Sequence, residues 1–131
     1  MKKNNKIIIV DDDEDLLRIL VFYFEGKGFE VHTIATGKEA VKFLLNEKNM
    51  KEVCLLVLDR MLPDMEGLDI LTRFTEKYHH QVPVLILSVL GSDKDIIEGL
   101  KKGAVDYVKK PFNHDVLMQK ALSLIARGHH V

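Results

Sequence analysis

Five residues in this chain join a reactive side chain to the end of an apolar run. Asp11 and Asp12 close Ile7-Ile8-Ile9-Val10, Asp59 closes Val53–Leu58, Ser88 closes Val84-Leu85-Ile86-Leu87, and Lys110 follows Tyr107-Val108-Lys109 and precedes Pro111. An acid at the carboxyl end of a buried strand sits where open α/β sheets gather their chemistry. With the first and third runs side by side in a parallel sheet, Asp11 and Asp12 lie beside Asp59. Carboxylates so grouped repel and raise one another's pKa unless a cation intervenes. Hard oxygen ligands, few in number, with positions left open for water and phosphate, describe a Mg²⁺ site. Ser88 offers a hydroxyl to a phosphoryl oxygen. The residue before a proline is held extended, which aims Lys110 outward from its strand end toward a carboxylate or a phosphoryl group. The chemistry this assembles is phosphoryl transfer: Asp59 as nucleophile, with Mg²⁺ and Lys110 as the neutralising cations. The acyl phosphate formed would add about one and a half to two negative charges at one point.

Neighbouring candidates have simpler readings. Asp13, Glu14 and Asp15 suit the first turn of a helix, where acids meet the positive end of the helix dipole. His79-His80 and His129-His130 lack metal-ligand spacing and read as solvated. Lys109 alternates with Lys110 along its strand and reads as solvated too. The single Cys54 lies inside an apolar run and reads as a buried, reduced core thiol.

The elements that must position these groups are legible as five apolar runs: Lys6–Val10, Glu30–Ile34, Val53–Leu58, Val82–Leu87 and Val105–Val108. Between and after them, apolar residues recur at helical spacing over Asp13–Lys27, Lys38–Asn46, Leu68–Tyr78, Lys94–Lys102 and His114–Ala126. Thr36, Ser92 and Asn113 are candidate N-caps, and Gly28 and Gly103 mark helix C-termini. Strand alternating with helix implies consecutive βαβ units, hence a doubly wound α/β fold with helices on both faces of a parallel sheet. The first, third and fourth runs are apolar almost throughout, as strands covered on both sides should be.

At 131 residues the chain fits one domain, with a core over about 6–126 and a tail, or the start of a linker, at 127–131. Nineteen basic residues against twenty acidic leave a net charge of −1, which provides no bulk attraction for nucleic acid or an anionic membrane. The apolar run Ile7–Val10 behind Lys2, Lys3 and Lys6 is too short for a signal peptide or a membrane span. A cytoplasmic protein is expected.

Taken in order, these motifs resemble the receiver domain of two-component response regulators, chemotaxis receivers included, and the likeness covers Lys6 to about Ala126. The residues carrying it are Asp11-Asp12, Asp59 in Leu-Asp-Arg-Met-Leu-Pro-Asp-Met-Glu-Gly, Ser88 and the Lys110-Pro111 step. The resemblance implies a flavodoxin-like five-stranded sheet of order 2-1-3-4-5 with five helices. It implies a phosphoacceptor, not an enzyme in the usual sense, that promotes its own phosphorylation and dephosphorylation. Asp59 would accept the phosphoryl group from a histidine kinase or phosphotransfer protein. Asp12, Asp59 and the backbone carbonyl of Met61 would bind Mg²⁺ directly, with Asp11 acting largely through water. Ser88 and Lys110 would grip the phosphoryl oxygens. Tyr107 matches the aromatic that turns inward in the active state, with the fourth helix, fifth strand and fifth helix as the switching surface.

Partners follow from the same resemblance. Leu16, Ile19 and Tyr23 recur at helical spacing on the first helix and form a candidate docking face for the kinase. The 103–112 stretch is similar to receivers of winged-helix transcription factors, which dimerise through the fourth-helix to fifth-helix face. Val116 stands where that dimer usually has an acid, so the match to this homodimer is poor. An output domain is expected elsewhere in the protein unless the receiver stands alone. Val89 after Ser88 departs from the family's usual small residue and should narrow access to Asp59. Glu66 replaces the more frequent Asp outside the site. The isomer of the Lys110–Pro111 bond stays open. A rival reading takes Asp11-Asp12-Asp13 as the Asp-x-Asp of a haloacid dehalogenase-type phosphatase, with Asp11 as nucleophile and Asp13 as acid. That reading leaves Asp59 and the Lys-Pro step unused.

Overall fold

Along Ile7–Val10 every side chain is branched and apolar, so both faces of this strand must be covered. In the computed structural model of the chain, which describes residues 4–128, they are: Ile7 and Ile9 face one core and Ile8 and Val10 the other. The elements in order are β1 (Lys6–Val10), α1 (Glu14–Gly26), β2 (Glu30–Ile34), α2 (Gly37–Leu44), a 3-10 turn (Glu47–Met50), β3 (Val53–Asp59), α3 (Gly67–Tyr78), β4 (Val84–Ser88), α4 (Asp93–Lys101), β5 (Asp106–Lys109) and α5 (His114–Gly128). The sheet has the order β2-β1-β3-β4-β5, and all its pairings are parallel.

The period-2 alternation of the central strands sorts the core into two layers. Leu56, Leu58 and Ile86 join Ala40 and Leu44 of α2 and Leu68, Ile70, Leu71, Phe74 and Tyr78 of α3 on one face. Leu55, Val57, Leu85 and Leu87 meet Leu20 and Phe24 of α1 and Leu117, Ala121, Leu124 and Ile125 of α5 on the other. Each fully buried Leu, Ile, Val or Phe among them contributes roughly 1.5–3 kcal/mol over exposure. Cys54 belongs to the second layer, and burial pushes its thiol up to about 11.

The expected caps form. Thr36 accepts from the backbone N–H of Glu39, and Asn113 from those of Asp115 and Val116. Ser92 and Asp95 exchange side-chain and backbone bonds in a capping box. Gly28 and Gly103, at φ +93° and +124°, occupy the left-handed region after α1 and α4. The sequence boundaries shift at a few places. Asp13 is the cap of α1 and not its first turn, because its carboxylate accepts from the N–H groups of Asp15 and Leu16. Asp59 and Ser88 are still paired in the sheet and belong to β3 and β4, while Val82 and Val105 lie outside the strands. The 3-10 turn was not anticipated; its four residues carry none of the apolar spacing that marks a helix. His79 and His80 are exposed as expected, and His129-His130 lie outside the described residues. No helix among the described residues is long and apolar enough to cross a membrane.

Candidate functional site

The carboxyl ends of β1, β3, β4 and β5 stop at the same edge of the sheet, and parallel register decides what meets there. Val10 pairs with Leu58, Asp59 with Leu87, and Ser88 with Lys109. The residue after β1, the last of β3, the last of β4 and the residue after β5 are therefore neighbours. Asp11, Asp12 and Asp59 each bring a carboxylate oxygen to within 4.8 Å of the others. Asp11 and Asp59 are buried and Asp12 is exposed, so the group opens to solvent on one side.

Lys110 reaches in from the opposite strand. Its Nζ donates to Asp11 Oδ2 at 2.7 Å and to Asp59 Oδ2 at 3.4 Å. Asp59 Oδ1 accepts from the backbone N–H of Met61 at 3.0 Å, and Asp11 Oδ1 from that of Asp13 at 3.0 Å. Burial raises the Asp59 carboxyl to about 6; the charge of Asp11 adds to the rise, while the Met61 N–H and Lys110 oppose it. Burial also works against the Lys110 ammonium, but its hydrogen bond to Asp11 and the two acidic charges outweigh that and raise its pKa. Ser88 is fully buried, and its Oγ accepts from the N–H of Leu90 at 3.1 Å. The Lys110–Pro111 bond is cis, which resolves the isomer.

The loop from β3 to α3 is fixed at both ends. The N–H of Gly67 donates to the carbonyl of Arg60 at 2.6 Å, and Met61 pairs with Glu66 in an antiparallel bridge. A side chain at Gly67 would run into the Asp59 carbonyl and the Arg60 backbone, so only glycine permits this approach. Asp64 accepts from the N–H groups of Gly37 at 2.7 Å and Lys38 at 2.9 Å, which tethers the loop to the start of α2 and lowers the Asp64 pKa.

A burial-and-charge constellation this specific invites comparison with known proteins. Residues 7–122 match the family model described as the response regulator receiver domain. This chain belongs to that family. The receiver is 36% identical over 124 residues to the transcriptional regulatory protein SrrA of Staphylococcus aureus, covering 95% of this chain and 49% of that protein. It thus spans about half the length of the curated relatives it matches. Among solved structures it is similar to the BeF3-activated DrrB receiver domain (31% identity, TM-score 0.79, 92% and 97% of the two chains). It also resembles a CheY-like response regulator receiver domain protein from Methanospirillum hungatei JF-1 (28% identity, TM-score 0.85, 96% and 97%). A third likeness is to the CheX–CheY–BeF3–Mg²⁺ complex from Borrelia burgdorferi (26% identity, TM-score 0.80, 91% and 87%). The fold is the doubly wound, CheY-like arrangement that the resemblance implied.

The rival phosphatase reading finds no support in the receiver's geometry. Both oxygens of the buried Asp11 already accept hydrogen bonds, from Asp13 N–H and Lys110. Asp13 is committed to capping α1.

The structure brings Asp11, Asp12, Asp59 and Lys110 together and sets Tyr107 inward. The Tyr107 ring packs beneath α4, and its hydroxyl donates to the carbonyl of Leu90 at 2.6 Å. Lys109 is exposed, as expected, with its aliphatic stem laid against Gly91. Two residues escaped the sequence reading. Arg60, next to Asp59, folds back to α4 and touches Tyr107. Phe22 on α1 is 74% exposed, the most exposed large apolar side chain among the described residues. The signal for Phe22 was available, since it falls off the core stripe of Leu20 and Phe24. For the expected docking set, Ile19 and Tyr23 are exposed, but Leu16 is partly buried against the α1–α5 layer.

Proposed function

We infer that this receiver takes a phosphoryl group onto Asp59 in a Mg²⁺-dependent reaction, promoting its own phosphorylation and dephosphorylation without being an enzyme in the usual sense. The observation that carries the reading is the clustering of Asp11, Asp12 and Asp59 within 4.8 Å beside Lys110. The donor set fits the metal, because every side-chain ligand is a hard carboxylate oxygen and one edge is open. Asp12, Asp59 and the Met61 carbonyl would hold Mg²⁺ directly, with Asp11 acting largely through water. When bound, the ion neutralises charge on the phosphoryl oxygens.

The chain's own residues supply the rest. Met61 N–H holds Oδ1 of Asp59 and Lys110 holds Oδ2, which together fix the orientation of the carboxylate. Lys110 grips a phosphoryl oxygen, and Ser88 turns its hydroxyl toward the new charge. Ser88 and Tyr107 then set the surface formed by α4, β5 and α5. A histidine kinase or phosphotransfer protein docks near Leu16 and Ile19, and Phe22 and Tyr23 extend that face. Residues 127–131 form a tail or the start of a linker to an output domain, the receiver works in the cytoplasm, and a weak homodimer forms through α4-β5-α5. The apolar Ile97, Leu100 and Val116 on that surface support a contact with less charge pairing than usual.

Beryllofluoride with Mg²⁺ should move the NMR signals of Asp59, Ser88 and Tyr107, and Asp59→Asn should remove both that response and acetyl phosphate labelling. Labelling that survives Asp59→Asn would place the acceptor elsewhere. Val89, exposed beside Lys110 over an apolar groove that Leu16, Pro111 and Phe112 also line, should slow small donors. Val89→Ala should label severalfold faster, and equal rates would remove that role.

A further inference from the structure

Arg60 follows the acceptor position directly, yet its side chain turns away from the acidic group and is only 11% exposed. Its guanidinium serves three partners on the switching side of the molecule. Nη1 donates to the Asp95 carbonyl at 3.0 Å and to the Tyr107 hydroxyl at 3.3 Å, and Nη2 donates to the Glu98 carboxylate. The planar fork of arginine suits this, because its donors diverge in fixed directions that a lysine does not reproduce.

The Tyr107 hydroxyl is thereby held from both sides. It accepts from Arg60 and donates to the Leu90 carbonyl, while the Leu90 N–H donates to Ser88 Oγ. A continuous path of bonds runs from Asp59 through its neighbour Arg60 to Tyr107, then through the Leu90 backbone to Ser88. The ring sits under Gly99 of α4, where an added Cβ would come within 2.9 Å of it.

We propose that Arg60 is a positioning residue for the switch, holding Tyr107 inward and tying α4 to the strand that bears Asp59. Its functional consequence rests on the reading of Asp59 as acceptor; its effect on Tyr107 does not. The inward rotamer is populated before phosphoryl transfer, and a phosphoryl mimic that selects this rotamer binds more tightly than it would without Arg60.

The test uses the whole chain labelled with fluorotyrosine, which reports on its three tyrosines, with Tyr107→Phe assigning the signal. Without ligand, Arg60→Met should move the Tyr107 resonance toward that of a solvated ring and leave Tyr23 and Tyr78 in place. Affinity for beryllofluoride with Mg²⁺ should fall by about fivefold to tenfold, and Arg60→Lys should recover part of both effects. An unmoved Tyr107 resonance in Arg60→Met overturns the proposal, as does an unchanged affinity with Asp59 intact. If Arg60→Met fails to fold, Arg60→Lys carries the test, with a smaller displacement confined to Tyr107. A parent chain that ignores beryllofluoride would overturn the acceptor reading, while the ligand-free Tyr107 comparison would still decide the role of Arg60.

Discussion

Helices α3 and α4 cover the same face of the sheet and are held there by different physics. In α3, Leu68, Ile70, Leu71, Phe74 and Tyr78 are buried along with Gly67. In α4 only Gly99 is buried, and Ile97 and Leu100 remain 51% and 42% exposed. Dispersed apolar burial has no single weak point, because it scales with area. The seat of α4 relies instead on the half-buried Ile96, the Ser92–Asp95 capping box and the Arg60 bonds to Asp95 and Glu98. Hydrogen bonds and ion pairs are directional and break one at a time, so a helix held by them can occupy two positions at small cost. The loop before α3 touches the acidic site and must stay put. The loop before α4 begins after Ser88 and carries Val89 and Leu90, whose backbone is bonded to Ser88 and Tyr107.

The comparison can be broken by measuring what each helix contributes. Phe74→Ala should cost about 3–5 kcal/mol in denaturant unfolding, since Phe74 is a fully buried aromatic packed at a tilt against the Tyr78 ring. A loss below about 1 kcal/mol would mean that α3 is no better anchored than α4. Gly99→Ala should cost about 1–3 kcal/mol, because the new methyl meets Tyr107 at 2.9 Å and Ile86 at 3.0 Å, and Tyr107 should become more exposed by fluorotyrosine NMR. Ser92→Ala should cost about 1 kcal/mol and should hasten amide hydrogen exchange in α4 while leaving α3 unchanged. At the bottom of the scale, Ile97→Ser should stay within about 0.5 kcal/mol of the parent. A larger penalty there would show a buried contact for α4 and weaken the contrast.

Most of the scaffold was readable from pattern alone, and the reasons are local. The branched runs of β1, β3 and β4 cannot rest with either face in water, and Thr36, Ser92 and Asn113 each cap within three residues of themselves. The acidic group was readable because Asp11 and Asp59 interrupt apolar runs abruptly and parallel register does the rest. What was not readable depends on meetings between distant segments. Arg60 looked like an ordinary polar residue after the acid, since nothing in its surroundings names a glutamate 38 residues away. Asp64 bridges to Gly37 across 27 residues, and only the folded loop shows that it anchors α2. Gly99 drew no reading from the sequence, yet its missing side chain is the space that the Tyr107 ring fills.

The 2.7 Å contact between Lys110 and Asp11 joins residues 99 positions apart. Asp11 leaves the ribosome early with its acidic neighbours, and its counter-charge arrives only when β5 has been made and added to the edge of the sheet. Until then the acids at the growing edge lack their internal cation. The ion pair that balances the acidic group is thus acquired only by a chain whose last strand has docked.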